Sequence, residues 1–205
     1  MNSLGADYSH WDGNVNLKQA QDAGIEFAFF KGSEGTGFLD DQAAANMQGA
    51  LDIHMPAGLY HYYKPNLDPI AQAEWMFHTT PWMNAHWIAA DLEDRKVAVK
   101  DLVNRVRAFL GMLESLTNRI PVIYTGIDYW NLHFGNLTWA RRYPLWIANY
   151  RTDSPRVPLP WGPTRYTFWQ FMDKAPAAAF GSQKSTVDLN VSNGPIGDLL
   201  NLCKL

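Results

Sequence analysis

The alternation of short apolar strands with helical segments restricts the fold of this sequence more than any other feature. Eight strand-like segments are predicted, at residues 5–9, 25–30, 57–63, 87–93, 120–125, 143–150, 166–171 and 186–191. Helices are predicted between or after most of them, at residues 18–22, 42–51, 69–78, 99–116, 127–134 and 196–205. Strands that alternate with helices indicate a parallel α/β sheet, and eight such strands indicate a closed barrel.

The length of the chain argues against a regular barrel. Its 205 residues fall short of the about 250 residues that are typical of a (β/α)8 barrel. The connections on either side of residues 166–171 contain little helical sequence, and the proline-rich stretch 155–163 is predicted to be a loop. We therefore expect one α/β catalytic domain over residues 1–205, an irregular, TIM-barrel-like (β/α) barrel with reduced helices in its C-terminal part.

The composition argues against several classes of protein. A net charge of −3 without a basic run argues against nucleic acid as the main partner. No apolar run reaches the roughly 18 residues of a membrane-spanning helix, so we expect no membrane insertion. The single cysteine, Cys203, allows no internal disulfide and is predicted to pack within the last helix. Residues 1–7 lack the pattern of a signal peptide, so the chain leaves the cytoplasm by another route or its signal was removed.

Two carboxylates at the end of a buried strand are the first candidates for a functional site. The apolar run Trp87 to Ala90 leads into Asp91 and Glu93, which one leucine separates. Because side chains alternate along a strand, both acids point to the same side, where burial and repulsion raise the pKa of at least one of them. The alternative is that one acid pairs with Arg95 or Lys96 and that the other is solvated.

Polar side chains recur where the other predicted strands end. The carboxyl ends of the strands of a (β/α) barrel meet at one rim, and active sites form there. Each residue alone has a structural interpretation, with Asp7 as a helix cap, His61 as a hydrogen-bonded core histidine and Asp188 as a turn residue. Their joint placement favours a site, whose rim contains Asp7, Glu34, His61, Asp91, Glu93, Tyr124, Asn149, Tyr150, Gln170 and Asp188.

A rim rich in carboxylates and aromatic rings suits the hydrolysis of a glycosidic bond. One carboxylic acid protonates the leaving oxygen, while a second carboxylate stabilises or attacks the oxocarbenium-like centre, or orients the group that attacks it. Because Asp91 and Glu93 are too close to flank the bond, we expect Glu93 to be the acid. Asp91 then positions an attacking group, for example the 2-acetamido carbonyl of the substrate. A hydrated Mg²⁺ held by the acids remains an alternative, whereas no Gly-x-Ser-x-Gly motif supports a serine nucleophile.

Taken together, these motifs resemble glycoside hydrolase family 25, the Chalaropsis-type lysozymes or N-acetylmuramidases of phages, bacteria and fungi. The resemblance covers nearly the whole chain and includes the pair Asp91-Leu-Glu93. Departures are Tyr8, where the family often has valine, and the polar segment 14–16, where an Ile-Asp pair is common. The other matching motifs are Gly5-Ala-Asp7-Tyr-Ser9 with Gly13, Phe30-Lys-Gly-Ser-Glu34-Gly-Thr-Gly with Asp40, Gly58-Leu-Tyr-His61-Tyr, Val122-Ile-Tyr124-Thr, Leu145-Trp146-Ile-Ala148-Asn-Tyr150, Trp169-Gln170-Phe and Val187-Asp188-Leu-Asn.

The resemblance implies a retaining hydrolase of the β-1,4 bond between N-acetylmuramic acid and N-acetylglucosamine, with no cofactor or metal. It implies Glu93 as general acid/base and Asp91 as its partner, with Asp7 and Asp188 as further acids of the groove. The expected partner is a peptidoglycan glycan strand, and the protein is expected to be a monomer. It is expected to act on the bacterial cell wall, either from outside the cell or after release from the cytoplasm as an endolysin. Alternatives are a catalytically silent glycan-binding module and a chitinase-like hydrolase. The expected substrate-binding residues are Glu34, His61, Tyr62, Tyr124, Trp146, Asn149, Tyr150, Trp169 and Gln170.

Overall fold

The computed structural model describes residues 1–95 and 100–204. The strands in this part of the chain are β1 (Leu4–Tyr8), β2 (Phe27–Glu34), β3 (Phe38–Leu39), β4 (Ala57–Tyr62), β5 (Trp87–Asp91), β6 (Val122–Gly126), β7 (Leu145–Ala148), β8 (Phe168–Pro176) and β9 (Thr186–Ser192). The α-helices are α1 (Leu17–Asp22), α2 (Ala43–Asp52), α3 (Pro69–Thr79), α4 (Leu102–Thr117), α5 (Ile127–His133) and α6 (Ile196–Leu199).

Eight of these strands form a closed ring, in the order β1, β2, β4, β5, β6, β7, β8, β9 and back to β1. Neighbouring strands from β1 to β8 in this ring run parallel, whereas β9 runs antiparallel to both β1 and β8. The short strand β3 forms a hairpin with β2 and has no other strand partner in the described part of the chain. The expected irregular α/β barrel is therefore confirmed, but the expectation of a parallel sheet is wrong for its last strand.

The first three helices begin close to where their sequences predict. The Asn16 side chain caps α1 by accepting a hydrogen bond from the Gln19 N–H over 3.0 Å. Asp68 caps α3 in the same way, and Pro69 occupies its first position, where the missing N–H has no cost. The predicted start of α4 at Val99 lies outside the described residues, and the helix is described from Leu102.

The C-terminal part of the barrel has few helices, as predicted. The links from β7 to β8 and from β8 to β9, which are described in full, contain no α-helix, and the second contains only the 3-10 helix Ala177–Phe180. The predicted helix at 196–205 is shorter than expected, because α6 ends at Leu199. Cys203 is buried but lies beyond that helix, and Leu205 lies outside the described residues. None of the helices in the described ranges is long and apolar enough to cross a membrane.

Two layers of apolar side chains cover the two faces of the barrel wall. Phe29, Trp87, Trp146 and Phe168 belong to an aromatic cluster inside the ring, where each is at most 1% exposed. Phe29 and Trp146 stack there with ring centroids 4.2 Å apart. The outer layer packs the wall against the helices. Because successive strand residues alternate between these layers, the interior is a packed core and ligands are confined to its open end.

The contacts of β1 and β9 define the two ends of the barrel. Where β1 begins and β9 ends, the Ser3 N–H donates to Ser192 Oγ over 2.9 Å. Towards the opposite end, Asp7 and Asp188 face each other in the register of the two strands. We call the end that holds Asp7 and Asp188 the rim, and the end that holds Ser3 and Ser192 the floor.

The β2–β3 hairpin differs from the sequence-based expectation. β2 continues to Glu34, beyond the predicted strand at 25–30, and returns through a tight turn into β3. Gly35 occupies the left-handed region in this turn, with a φ of 55°, which a glycine adopts without strain. The hairpin carries Lys31 and Glu34 to the rim and places the Phe38 ring 5.1 Å from Lys31 Nζ.

Candidate active site

Four candidate catalytic carboxylates lie at the rim of the barrel. Asp7 is near the end of β1, Asp91 is the last residue of β5, and Glu93 follows two residues later. Asp188 reaches the same rim because β9 runs antiparallel, so that its beginning lies beside the ends of β1 and the other strands. We call Asp7, Asp91, Glu93 and Asp188 the carboxylate trough.

Burial and mutual repulsion raise the pKa values of the trough carboxyls. Burial raises the pKa of Asp7 well above its ordinary value, and the charge of Asp188 adds to the effect. Burial also raises the pKa of Asp91, with the charge of Glu93 as the next cause, and raises the pKa of Asp188 to about 6. Burial raises the pKa of Glu93 as well, although the positive charge of Arg95 opposes it. Raised pKa values let carboxyl groups keep their protons at a pH where ordinary acids are ionised, as general acid catalysis requires.

Gln170 connects the trough acids to two tyrosines. Its side-chain oxygen accepts hydrogen bonds from the Tyr124 hydroxyl, over 2.8 Å, and from the Tyr150 hydroxyl. Its amide nitrogen donates to Asp7 Oδ2 over 2.8 Å and to Asp188 Oδ2 over 3.5 Å. Gln170 is only 2% exposed, so the structure places it under the predicted site as a support for Asp7 rather than on the open surface.

Trp146 was expected to bind substrate, but the structure places it inside the barrel. It is 1% exposed, and its indole N–H donates to Asn190 Oδ1 over 2.7 Å. Asn190 in turn donates to Asp7 Oδ2 over 2.8 Å. Trp146 therefore supports the trough from below through Asn190, because its position in β7 points into the interior rather than to the rim.

His61 was also expected at the site, and the structure places it on the outer face of the barrel wall. Its Nδ1 lies 2.9 Å from Ser33 Oγ and its Nε2 lies 3.4 Å from Gln72 Oε1 on α3. Burial lowers the pKa of His61 to about 4, so the ring is neutral at pH 7. The reason is the alternation of side chains along β4, which turns Tyr60 and Tyr62 inward and His61 outward. His61 is thus the hydrogen-bonded core histidine of the alternative interpretation.

Trp169 is a third residue that the structure does not bring to the trough. It lies between two inward residues of β8 and packs with the outer core layer. Its indole N–H donates to the Asn149 carbonyl over 2.7 Å, which fixes the segment after β7. Asn149 and Tyr150 themselves are half-buried at the rim, as predicted.

A network of lysines and acids forms one wall of the site. Glu34 accepts hydrogen bonds from Lys31 Nζ at 2.6 Å and from Lys64 Nζ at 2.9 Å, and Lys64 also lies 3.2 Å from Asp94. Both lysines lie over the Tyr62 ring, at 5.2 and 4.7 Å from its centroid. Burial alone would raise the pKa of Glu34, but the hydrogen bonds from the two lysines lower it. Glu34 is thus an ion-paired acid, and neither lysine was predicted from the sequence.

Two cavities adjoin the trough. One, of about 390 Å³, is lined by Glu93, Asp128, Asn149 and Tyr150 among others. A smaller cavity of about 70 Å³ lies at Asp7 and Asp188, with Tyr60 and Asp12 in its lining. Within the described ranges, no group of three or more His, Cys, Asp or Glu side chains is arranged to hold a metal ion. The Mg²⁺ alternative therefore has no ligand set in that part of the chain.

One carboxylate oxygen of Asp91 has no hydrogen-bond partner among the described residues. Asp91 is 5% exposed, and its Oδ1 is the buried atom concerned. A buried polar atom without a hydrogen bond destabilises the folded protein by about 1–3 kcal/mol relative to one that has a hydrogen bond, so its presence needs an explanation. A hydrogen-bond donor on a bound molecule would satisfy it. Of the two cations that were alternative partners for the acids, Arg95 acts on Glu93 through its charge, and Lys96 lies outside the described residues.

A closed eight-stranded barrel with buried acids at its rim is consistent with a glycoside hydrolase. Residues 6–179 match the profile of glycosyl hydrolases family 25. The chain belongs to this family, as its sequence motifs led us to expect.

Named relatives and solved structures agree with this assignment. Lysozyme M1 from Streptomyces globisporus is 30% identical to this chain over 97% of it and 70% of that protein. The crystal structure of the bacterial lysozyme from Streptomyces coelicolor is similar with a TM-score of 0.86 at 28% identity, covering 98% of this chain and 96% of that one. The muramidase from Acremonium alcalophilum gives a TM-score of 0.84 at 29% identity, with 98% of each chain covered.

Proposed function

We propose that this protein hydrolyses peptidoglycan at the β-1,4 bond between N-acetylmuramic acid and N-acetylglucosamine. The position of Glu93 carries the proposal, because this half-buried acid lines the cavity of about 390 Å³ and its pKa is raised by burial. A raised pKa keeps the acid protonated at a pH where an ordinary glutamate is ionised, so it can donate a proton. The lysozyme and muramidase names of the relatives support the choice of substrate.

In the proposed first step, Glu93 donates its proton to the glycosidic oxygen as the bond from that oxygen to C1 of the muramic acid residue breaks. The carbonyl oxygen of the 2-acetamido group attacks C1 from the other side and forms a cyclic oxazolinium ion. The Oδ1 atom of Asp91, which has no partner among the described residues, accepts a hydrogen bond from the acetamido N–H and so aligns this attack. After burial, the charge of an ionised Glu93 is the next cause of the raised pKa of Asp91, so Asp91 ionises more readily while Glu93 carries the proton. The negative charge of Asp91 then stabilises the positive charge that develops.

In the proposed second step, a water molecule attacks C1 and transfers a proton to Glu93, which then acts as a base. The ring of the intermediate opens, and the configuration at C1 is retained after two inversions. Asp7 and Asp188 are proposed to hold sugar hydroxyls in the trough, where Gln170 and Asn190 fix the orientation of Asp7. Direct attack by Asp91 on C1 is the competing route to retention.

The Glu93→Gln variant tests the role of Glu93. We expect turnover of purified peptidoglycan to fall at least ~100-fold, the usual effect of removing a general acid, while the fold and glycan binding are kept. Glu74→Gln, which changes an exposed acid on α3, is the matched control and should act like the parent. If Glu93→Gln clears cell walls as fast as the parent, the assignment of Glu93 is wrong.

The bond that is cut can be identified from the products. We expect mass spectrometry of digested peptidoglycan to show new reducing ends on muramic acid, with the initial product in the β configuration by NMR. New ends on glucosamine would overturn the proposed bond specificity. Release of soluble sugars from chitin would favour the chitinase-like alternative, and binding of fragments without any new reducing end would favour the silent module.

We further propose that residues 1–205 form one catalytic domain that acts as a monomer on the bacterial wall. The family profile over residues 6–179 and a ring of strands that includes both β1 and β9 support a single folding unit. Sedimentation of the purified protein at a single mass of about one chain is the expected result.

A further inference from the structure

Three aromatic rings form an exposed cluster beside the trough. The His10 ring lies 4.4 Å from the Trp11 ring and 5.1 Å from the Phe38 ring, measured between centroids. Trp11 is 71% exposed and Phe38 is 37% exposed. Large aromatic side chains that stay in contact with water and with one another often mark a binding surface. We call His10, Trp11 and Phe38 the aromatic platform.

The backbone that carries the aromatic platform is held firmly. Ser9 and Asp12 form a reciprocal capping box around the 3-10 helix His10–Asp12, in which the Trp11 N–H donates to Ser9 Oγ and the Ser9 N–H donates to Asp12 Oδ2. The His10 N–H donates to Asp40 Oδ2 over 2.9 Å, and His10 Nδ1 lies 2.9 Å from the same oxygen. Trp11 is therefore exposed on an ordered segment rather than on a loose loop, which lowers the entropy cost of binding.

The aromatic platform is continuous with the trough on two sides. Ser9 and Asp12, which flank it in sequence, line the small cavity at Asp7 and Asp188. On its other side, Phe38 lies against Lys31 Nζ, which also contacts the Tyr62 ring at the rim. A polymer that lies in the trough and extends past Asp7 therefore meets these rings next.

We propose that the aromatic platform binds a pyranose ring of the glycan strand beyond the trough and so makes the protein prefer long strands over short fragments. This inference rests on the proposed function. The apolar C–H face of a sugar stacks on aromatic rings, and His10 retains Nε2 for a bond to a hydroxyl or acetamido group. The exposed rings of Trp11 and Phe38 carry no charge, so a neutral sugar is the fitting occupant.

The test compares Trp11→Ala with the parent on long glycan strands and on the shortest fragment that the parent cleaves. We expect KM for long strands to rise roughly tenfold, as for loss of one stacking contact, with kcat unchanged and with no effect on the shortest fragment. Trp11→Phe should restore most of the loss. Met83→Ala is the matched control, because Met83 is 73% exposed but precedes β5 at the floor end. Equal kinetics of Trp11→Ala and parent on both substrates would overturn the inference.

A binding measurement separates this inference from the proposed function. Calorimetric titration of Glu93→Gln uses peptide-free strands of two, four and eight disaccharide units. Affinity should increase with length, and the double variant Trp11→Ala/Glu93→Gln should lose that increase. If the parent releases no reducing ends but this pattern appears, the proposed function fails and the aromatic platform stands. If the increase persists without Trp11, or appears only when stem peptides are attached, the inference is wrong.

Discussion

Lys31 places a positive charge beside two carboxyls of the trough. Burial is the main cause of the raised pKa values of Asp91 and Glu93, and the charge of Lys31 acts against it at both groups. Lys31→Met removes that charge while keeping most of the side-chain length, so both pKa values should rise further. In the proposed mechanism Asp91 works ionised and Glu93 works protonated. Both limbs of the pH profile of kcat/KM should therefore move to higher pH.

Lys64→Met is the control for this prediction. Lys64 pairs with the same Glu34 and also covers the Tyr62 ring, but Lys31 is the lysine whose charge acts on both Asp91 and Glu93. The profile of Lys64→Met should stay closer to that of the parent. A Lys31→Met profile with both limbs unmoved would show that this lysine does not tune the trough.

The sequence identified the trough acids but not the direction of every neighbouring side chain. Acids at the ends of predicted strands indicate a functional site, because burying a charge destabilises the fold unless the charge is paired. Trp146 lies in an entirely apolar strand, and His61 lies between two tyrosines, so neither stretch shows the alternation that would reveal which residues point inward. Asn190 and Lys31 are common surface residue types, and only the coordinates show their contacts with the site.

Among the secondary-structure elements, β9 is the strand whose direction determines whether Asp188 lies at the rim. Its sequence predicts a strand, but a strand pattern is the same in either direction. The link through residues 177–185 is shorter than the dozen or more residues that a parallel crossover needs, which favours an antiparallel return. The position of Asp188 opposite Asp7 depends on the pairing register of β1 and β9, which the sequence does not reveal.

The turn at Gly181 is predicted to be essential for docking this link on α1. Gly181 has a φ of 76°, its carbonyl accepts the Asn16 N–H over 2.8 Å, and a Cβ there would lie 2.2 Å from the Asn16 carbonyl oxygen. Gly181→Ala should therefore lower the free energy of unfolding by ~2 kcal/mol more than Gly162→Ala. Gly162 is the matched control, because its φ is 81° but a Cβ there would meet no atom of residues 1–95 or 100–204 within 4 Å. Equal losses in denaturant titrations would contradict the proposed clash.

For the whole molecule, the closed ring predicts that unfolding is cooperative. Each strand of the ring is hydrogen-bonded on both sides, so removing one leaves two unpaired edges. We expect tryptophan fluorescence and far-UV circular dichroism to report one coincident transition in denaturant. Two separated transitions would instead indicate that part of the chain folds on its own, against the proposed single domain.

The floor of the barrel gathers both ends of the described chain. Ser3 is bonded to Ser192 there, and Lys204 pairs with Arg119 just before β6. A tether attached near either end would leave from the face opposite the trough. The protein could therefore be immobilised on a bead through either end with its trough turned to the solution, which is the orientation needed to capture an insoluble polymer.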